Sequence, residues 1–214
     1  MGLVMSREQG LEALERTRII AIVRGVAEEH IVPVAEALFQ GGIRVMEITL
    51  NTPGALSMIS LLQDQFGQRM YIGAGTILDV EDAQRAFDAG ASFFVMPNTD
   101  PQVIRYAAER HLPAFPGAMT PTEVVAAWKA GATAVKIFPT ASLGFPYIRE
   151  LKAPLDHIPI MAVGGVNEEN IAEYLGICYA AGIGGSLINL QQIEASQYSW
   201  ITDKAARLLA RVPK

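Results

Sequence analysis

Residues 113–139 read PAFPGAMTPTEVVAAWKAGATAVKIFP and contain one complete unit of the pattern that organises the chain. Pro113 to Pro116 is a short apolar run, and Pro121 to Ala130 has the apolar spacing of a helix. Ala130-Gly131-Ala132 then supplies the stop that a left-handed helix cap requires, and Ala134 to Pro139 is a second apolar, β-branched run. A strand, a helix and a further strand in that order imply parallel neighbours joined by a right-handed crossover.

The unit repeats outward in both directions. Strand-like runs occur at Ile19 to Val23, Val45 to Leu50, Met70 to Ile77, Phe93 to Pro97, Ile158 to Val163 and Tyr179 to Ile183, making eight with the two above. Helical spacing appears at His30 to Phe39, Ala55 to Phe66, Val80 to Ala89, Pro101 to Arg110, Pro146 to Leu151 and Asn167 to Leu175, with a last helix expected over Gln191 to Arg211. Gly41-Gly42-Ile43 and Ala89-Gly90-Ala91 repeat the glycine stop. Ser6 to Thr17 precedes the pattern as an extra N-terminal helix with Ser6 as its cap.

Eight strand-helix units are what closure into a (β/α)₈ barrel needs. A doubly wound open sheet is the alternative, but no Gly-x-Gly-x-x-Gly follows the first strand and the strands continue evenly to the end. No linker, charge block or low-complexity stretch divides residues 1–214, so one α/β domain is expected.

Seventeen Lys and Arg against 22 Asp and Glu give a net charge of −5, with no basic cluster to meet a phosphate backbone, which argues against a nucleic-acid partner. Cys178 is the only cysteine, so an intrachain disulfide is excluded and a reducing, cytoplasmic location is expected. No run approaches the roughly 18 apolar residues of a membrane span, and no signal-peptide pattern is seen. Met1, Gly2 and Ser6 fit a short myristoylation pattern, but no second anchoring signal accompanies it, so no membrane partner is expected.

Strands of a parallel barrel are covered on both faces, and an ionisable side chain within one costs several kcal/mol unless it is paired or used. Glu47 interrupts Val45 to Leu50, and Lys136 interrupts Ala134 to Pro139. Lys129, Lys152 and Lys204 fall on expected helices and Lys214 at the end, where an ammonium stays hydrated. Lys136 alone is placed to lose its water. Desolvation favours the neutral amine, the form that attacks a carbonyl carbon, and a nearby carboxylate would move the protons that such chemistry requires. Strand alternation puts Glu47, Thr49 and Asn51 on one face and Ala134, Lys136 and Phe138 on another, both able to face a barrel interior. The bland alternative is a buried Glu47–Lys136 ion pair without chemistry, a poor stabiliser.

Arg24 ends the first strand, on the side where barrels bind substrates, and is suited to a carboxylate or a phosphate; a solvated loop arginine is an equal reading. Gly164-Gly165 and Gly182-Ile183-Gly184-Gly185-Ser186 follow the seventh and eighth strands, where backbone N–H groups of such barrels hold phosphate, although either cluster alone reads as ordinary turn chemistry. Gly73-Ala74-Gly75-Thr76 ends the third strand with a hydroxyl available to the same mouth, and Asp79 reads as a helix cap. His30, His111 and His157 lack ligand spacing, so no metal is expected. No Gly-x-Ser-x-Gly elbow is present, and Cys178 has no activating neighbour in sequence.

Ile22-Val23-Arg24-Gly25, Glu47-Ile48-Thr49-Leu50, Gly73-Ala74-Gly75-Thr76, Val135-Lys136-Ile137-Phe138-Pro139, Val163-Gly164-Gly165-Val166 and Gly184-Gly185-Ser186, in this order, resemble the family of 2-keto-3-deoxy-6-phosphogluconate and 4-hydroxy-2-oxoglutarate aldolases over almost the whole chain. The resemblance implies a class I aldolase, homotrimeric and cofactor-free, that releases pyruvate and glyceraldehyde 3-phosphate from a phosphorylated keto acid. It implies Lys136 as the Schiff-base lysine and Glu47 as the general acid/base. Arg24 and Thr76 would meet the substrate, Pro97 and Phe138 would shape the pocket, and Gly164, Gly165, Gly185 and Ser186 would bind phosphate.

The chain departs from the gluconate pattern, which looks like Glu-x-Thr-x-Arg, by carrying Asn51 at the last position, so Arg24 is left to hold the substrate carboxylate. Val163, where gluconate enzymes tend to carry threonine, and Phe145-Pro146-Tyr147-Ile148 look more like the 6-phosphogalactonate branch. Valine cannot hydrogen-bond the C4 hydroxyl that distinguishes the two substrates, which favours the galactonate epimer or an enzyme accepting both. Two rivals remain at the level of sequence: a phosphosugar isomerase or epimerase with Glu47 as base, and a non-catalytic phosphosugar-binding barrel.

Overall fold

A computed structural model describes residues 4–213; Met1 and Gly2 of the acylation pattern and Lys214 lie outside the described residues. Its nine strands are β1 (Ile19–Val23), β2 (Val45–Thr49), β3 (Tyr71–Gly75), β4 (Phe94–Val95), β5 (Ala114–Phe115), β6 (Gly117–Ala118), β7 (Val135–Ile137), β8 (Ile160–Val163) and β9 (Ala180–Ile183). They pair in the order β5-β4-β3-β2-β1-β9-β8-β7-β6, and every pairing is parallel.

The two ends of that order, β5 and β6, are halves of one stave separated by Pro116, which has no N–H to give to a ladder. Phe115 O accepts from Met96 N on one side, and Pro116 O accepts from Lys136 N at 2.8 Å on the other. The sheet therefore closes on itself as the expected (β/α)₈ barrel, with nine segments serving as eight staves. Each expected strand is found, β1 at its expected bounds and the others shortened.

The helices are α1 (Arg7–Thr17), α2 (Glu28–Gln40), α3 (Ala55–Phe66), α4 (Val80–Asp88), α5 (Pro101–Glu109), α6 (Pro121–Lys129), α7 (Thr140–Lys152), α8 (Ile171–Leu175), α9 (Leu190–Glu194) and α10 (Ser199–Leu209). Local chemistry sets their starts. Ser6 and Gln9 form a capping box on α1, Thr120 and Glu123 form one on α6, and Asp79 Oδ1 accepts from Asp82 N at 2.8 Å on α4. Gly42, Gly90 and Gly131 have φ of 96°, 94° and 107°, the left-handed stops expected after α2, α4 and α6.

Three helices differ from expectation. The single helix over Gln191 to Arg211 is two, α9 and α10, because Ser196 turns left-handed at φ 56° between them. The helix expected from Pro146 begins six residues earlier, at Thr140, and is broken at Gly144 (φ 75°, ψ 168°). The helix expected from Asn167 is regular only over Ile171–Leu175.

Alternate strand residues sort into two apolar layers. One, including Ala21, Val23, Met46, Ile48, Ile72 and Ala74, packs outward under the helices. The other, Ile20, Ile22, Val45, Tyr71, Phe93, Phe115, Met161 and Val163 among them, fills the barrel together with Ala13 and Leu14 of α1. The N-terminal helix thus stoppers the bottom. Gly10 lets it do so, since a Cβ there would lie 2.3 Å from the Tyr71 ring. Arg18, just after α1, ties this end by donating to the carbonyls of Leu175, Cys178 and Tyr179.

Candidate active site

With the bottom filled, the open end of the barrel holds a cavity of about 350 Å³. Its lining includes Arg24, Lys136, Phe138, Val163, Gly164, Gly165, Gly185 and Ser186, eight of the twelve residues singled out from sequence. Glu47 lies in the barrel interior behind Gly75, where a Cβ would come within 2.6 Å of its carboxylate carbon.

Glu47 and Lys136 are 1% and 5% exposed, and none of the six ion pairs among the described residues includes either of them. Glu47 Oε2 is buried without a hydrogen-bond partner. A stabilising ion pair would show the opposite, since buried charges that serve structure are paired and hydrogen-bonded. Burial pushes the Glu47 carboxyl up to about 7, against the pull of Lys136 and Arg24. Burial likewise lowers the Lys136 ammonium below its usual range, opposed by Glu47 and reinforced by Arg24. Both groups are moved towards their neutral forms, as a nucleophilic amine and a neutral-pH acid/base require. Phe138, two residues along the same face, puts its ring centroid 4.7 Å from Lys136 Nζ.

Arg24 is exposed at the end of β1, and the following turn is pinned because Gly25 N donates to Thr52 Oγ1 at 3.0 Å. Thr52 Oγ1 is in turn 3.1 Å from Thr49 Oγ1, buried at the end of β2, the strand that carries Glu47. Gly164 and Gly165 both have positive φ, 97° and 77°, a conformation that suits glycine. Among the described residues the amides of Gly164, Gly165, Gly185 and Ser186 donate to no protein acceptor. Ser186 Oγ donates to Val166 O at 2.7 Å, which fastens the two glycine loops together.

Four sequence candidates do not line the cavity. Asn51 is exposed, because β2 ends at Thr49 and a turn with Thr52 N on Thr49 O at 2.9 Å carries it off the interior face. Thr76 and Pro97 follow the ends of β3 and β4, Thr76 with φ 59°, a strained value for a threonine. Glu47, the fourth, is covered. Sequence reasoning gave no site role to Thr52, Thr140, Val166 and Asn167; Val166 closes the quoted Val163-Gly164-Gly165-Val166 and Asn167 follows it, whereas the hydroxyls act through bonds that no spacing reveals.

The model of the KDPG and KHG aldolases matches residues 11–204. The chain belongs to the KDPG and KHG aldolase family. It is 37% identical over 193 residues to 2-dehydro-3-deoxy-phosphogluconate aldolase of Treponema pallidum (strain Nichols), covering 89% of this chain and 91% of that one. It is 38% identical over 176 residues to 2-dehydro-3-deoxy-6-phosphogalactonate aldolase of Escherichia coli K12, covering 81% and 86%. Among solved structures, KDPG aldolase from Legionella pneumophila, with pyruvate captured as a covalent carbinolamine, superposes with a TM-score of 0.86 at 28% identity, over 92% of this chain and 96% of that one. Family membership makes the chain a carbon–carbon lyase and accounts for the barrel.

Proposed function

We propose that this aldolase cleaves a 2-keto-3-deoxy-6-phospho sugar acid to pyruvate and glyceraldehyde 3-phosphate through an imine on Lys136. The neutral amine adds to the C2 carbonyl carbon and water departs, leaving a protonated imine. The Glu47 carboxylate takes the C4 hydroxyl proton, C3–C4 breaks, and its electron pair enters the imine to form an enamine while the aldehyde leaves. Glu47 returns the proton at C3, and water hydrolyses the imine to pyruvate and free Lys136. The imine nitrogen is the electron sink, so the residues present suffice for every step.

Arg24 is the cation available to the substrate carboxylate, and the free amides of Gly164, Gly165, Gly185 and Ser186 suit the phosphate. Thr76 and Pro97, which follow the ends of β3 and β4, are given their substrate-facing roles by the family resemblance, Phe138 shelters the amine, and Val163 offers no side-chain hydrogen bond at the cavity wall. We assign the galactonate epimer as the preferred substrate, or an enzyme accepting both epimers, because the Val163 side chain has no hydrogen bond to offer the C4 hydroxyl. We further assign a homotrimeric state from the family resemblance and a cytoplasmic location from the unpaired, buried Cys178. No helix of the described residues is long and apolar enough to cross a membrane.

The observation that carries this reading is the unpaired burial of Glu47 and Lys136 beside one cavity. Incubation with pyruvate and borohydride, followed by digestion and mass spectrometry, tests it. A reduced pyruvyl adduct on Lys136 is the expected result; folded protein that stays unmodified overturns it and favours an isomerase or a binding module.

A further inference from the structure

Thr140 is fully buried, and its hydroxyl makes two hydrogen bonds to two strands. It donates to Ile137 O at 2.8 Å, on β7, and accepts from Val163 N at 2.9 Å, on β8. The paired register of these strands ends at Ile137↔Ala162, so the hydroxyl sits where the ladder stops and the mouth begins. One position before Ile137 is Lys136; one position after Val163 is Gly164.

The same segment touches the glycine loop directly. A Cβ on Gly164 would lie 3.4 Å from Pro139 Cα and from Thr140 N, and one on Gly165 would lie 2.7 Å from Ala141 Cβ. These glycines bring backbone against backbone. Beyond Leu143 the helix breaks at Gly144, which leaves the first turn of α7 as a separate brace between β7 and the loop after β8.

We propose that Thr140 is a positioning residue that couples anion seating at Gly164–Gly165 to the placement of the Lys136 amine. This rests on the aldolase reading above and adds to it a route by which binding of a remote phosphate is expressed in kcat rather than only in KM. With the hydroxyl in place, the loop and the amine form one rigid unit; without it, each strand end relaxes separately.

Thr140→Val keeps the shape and removes the hydroxyl, Thr140→Ala removes both, and Thr140→Ser keeps the hydroxyl. Removing the hydroxyl leaves Val163 N and Ile137 O without that partner, a cost that is not negligible for a marginally stable domain. Each variant is therefore first shown to be folded by its melting temperature, and Thr140→Ser, which keeps both bonds, carries the comparison if the others melt early. Each is assayed on the phosphorylated keto acid and on its dephosphorylated counterpart. The wild type should prefer the phosphorylated acid through kcat; Thr140→Val and Thr140→Ala should lose about tenfold or more of that preference, and Thr140→Ser should restore it. Equal losses on both substrates, or none, overturn the coupling while leaving the aldolase intact. A wild type that cleaves neither acid would instead sink the aldolase reading itself, a distinguishable failure.

Discussion

Gly75 leaves the space that the Glu47 carboxyl occupies: a Cβ at position 75 would stand 2.6 Å from the carboxylate carbon. The two residues lie on adjacent strands, with Thr49 paired to Gly75 and Glu47 to Gly73. A glycine often serves by its backbone angle, but Gly75 has no left-handed φ, and its service here is the room it gives a neighbour's side chain. Gly75→Ala should therefore displace Glu47 and lower kcat by about a hundredfold, while pyruvate trapping on Lys136 survives. Steady-state kinetics beside borohydride trapping separates the two effects.

Glu47 should also leave its mark on stability. Its folded-state pKa is raised from 4.5 to about 7, so the protonated form is favoured by folding. Its favourable contribution is complete below about pH 4.5 and is lost as pH rises through about 7, a decline on the order of 3 kcal/mol. Glu47→Gln should remove most of this decline in denaturant titrations between these limits, and should abolish the acidic limb of kcat/KM near pH 7. A decline unchanged in Glu47→Gln would show that another group causes it.

Strand-helix alternation was enough to reveal the barrel, and a charge in the middle of β2 and of β7 was enough to reveal Glu47 and Lys136, because both signals are local and periodic. Asn51 shows where periodicity stops informing: alternation extrapolated it onto the interior face, but the turn from Thr49 to Thr52 ends the strand first. Ser196 is similar, since apolar spacing continues through Ile193, Ile201, Ala205 and Leu208 across a backbone reversal that leaves the pattern intact. Thr140 and Thr52 work through hydrogen bonds between segments, and such bonds have no period.

Arg24 and Asn51 make a paired test of carboxylate binding. Arg24 lines the cavity and Asn51 does not, so Arg24→Ala should raise KM about tenfold or more, whereas Asn51→Ala should change it less than about twofold. Similar effects from both would place Asn51 in contact with the substrate after all.

Val163 forms part of the cavity wall without a polar atom on its side chain. Val163→Thr adds a hydroxyl at nearly constant volume and should shift the ratio of kcat/KM by about tenfold towards the gluconate epimer. Parallel assays on the two C4 epimers read that ratio directly, and an unchanged ratio assigns discrimination elsewhere.

Cys178 is buried and its thiol is pushed up to about 12 by that burial. Iodoacetamide at pH 8 should leave it unlabelled in the folded protein and alkylate it fully in urea, as mass spectrometry would show. Rapid native labelling would mean that the bottom of the barrel opens readily.

The stopper formed by Leu14 and Ala13 of α1 makes the barrel a blind alley. Traffic has one doorway. In the proposed reaction Lys136 and the glycine loops line the same cavity, so the aldehyde fragment and the hydrolytic water use the same opening. Covalent attachment to Lys136 already makes pyruvate the second product; the closed bottom adds that both products and the hydrolytic water must share the one mouth.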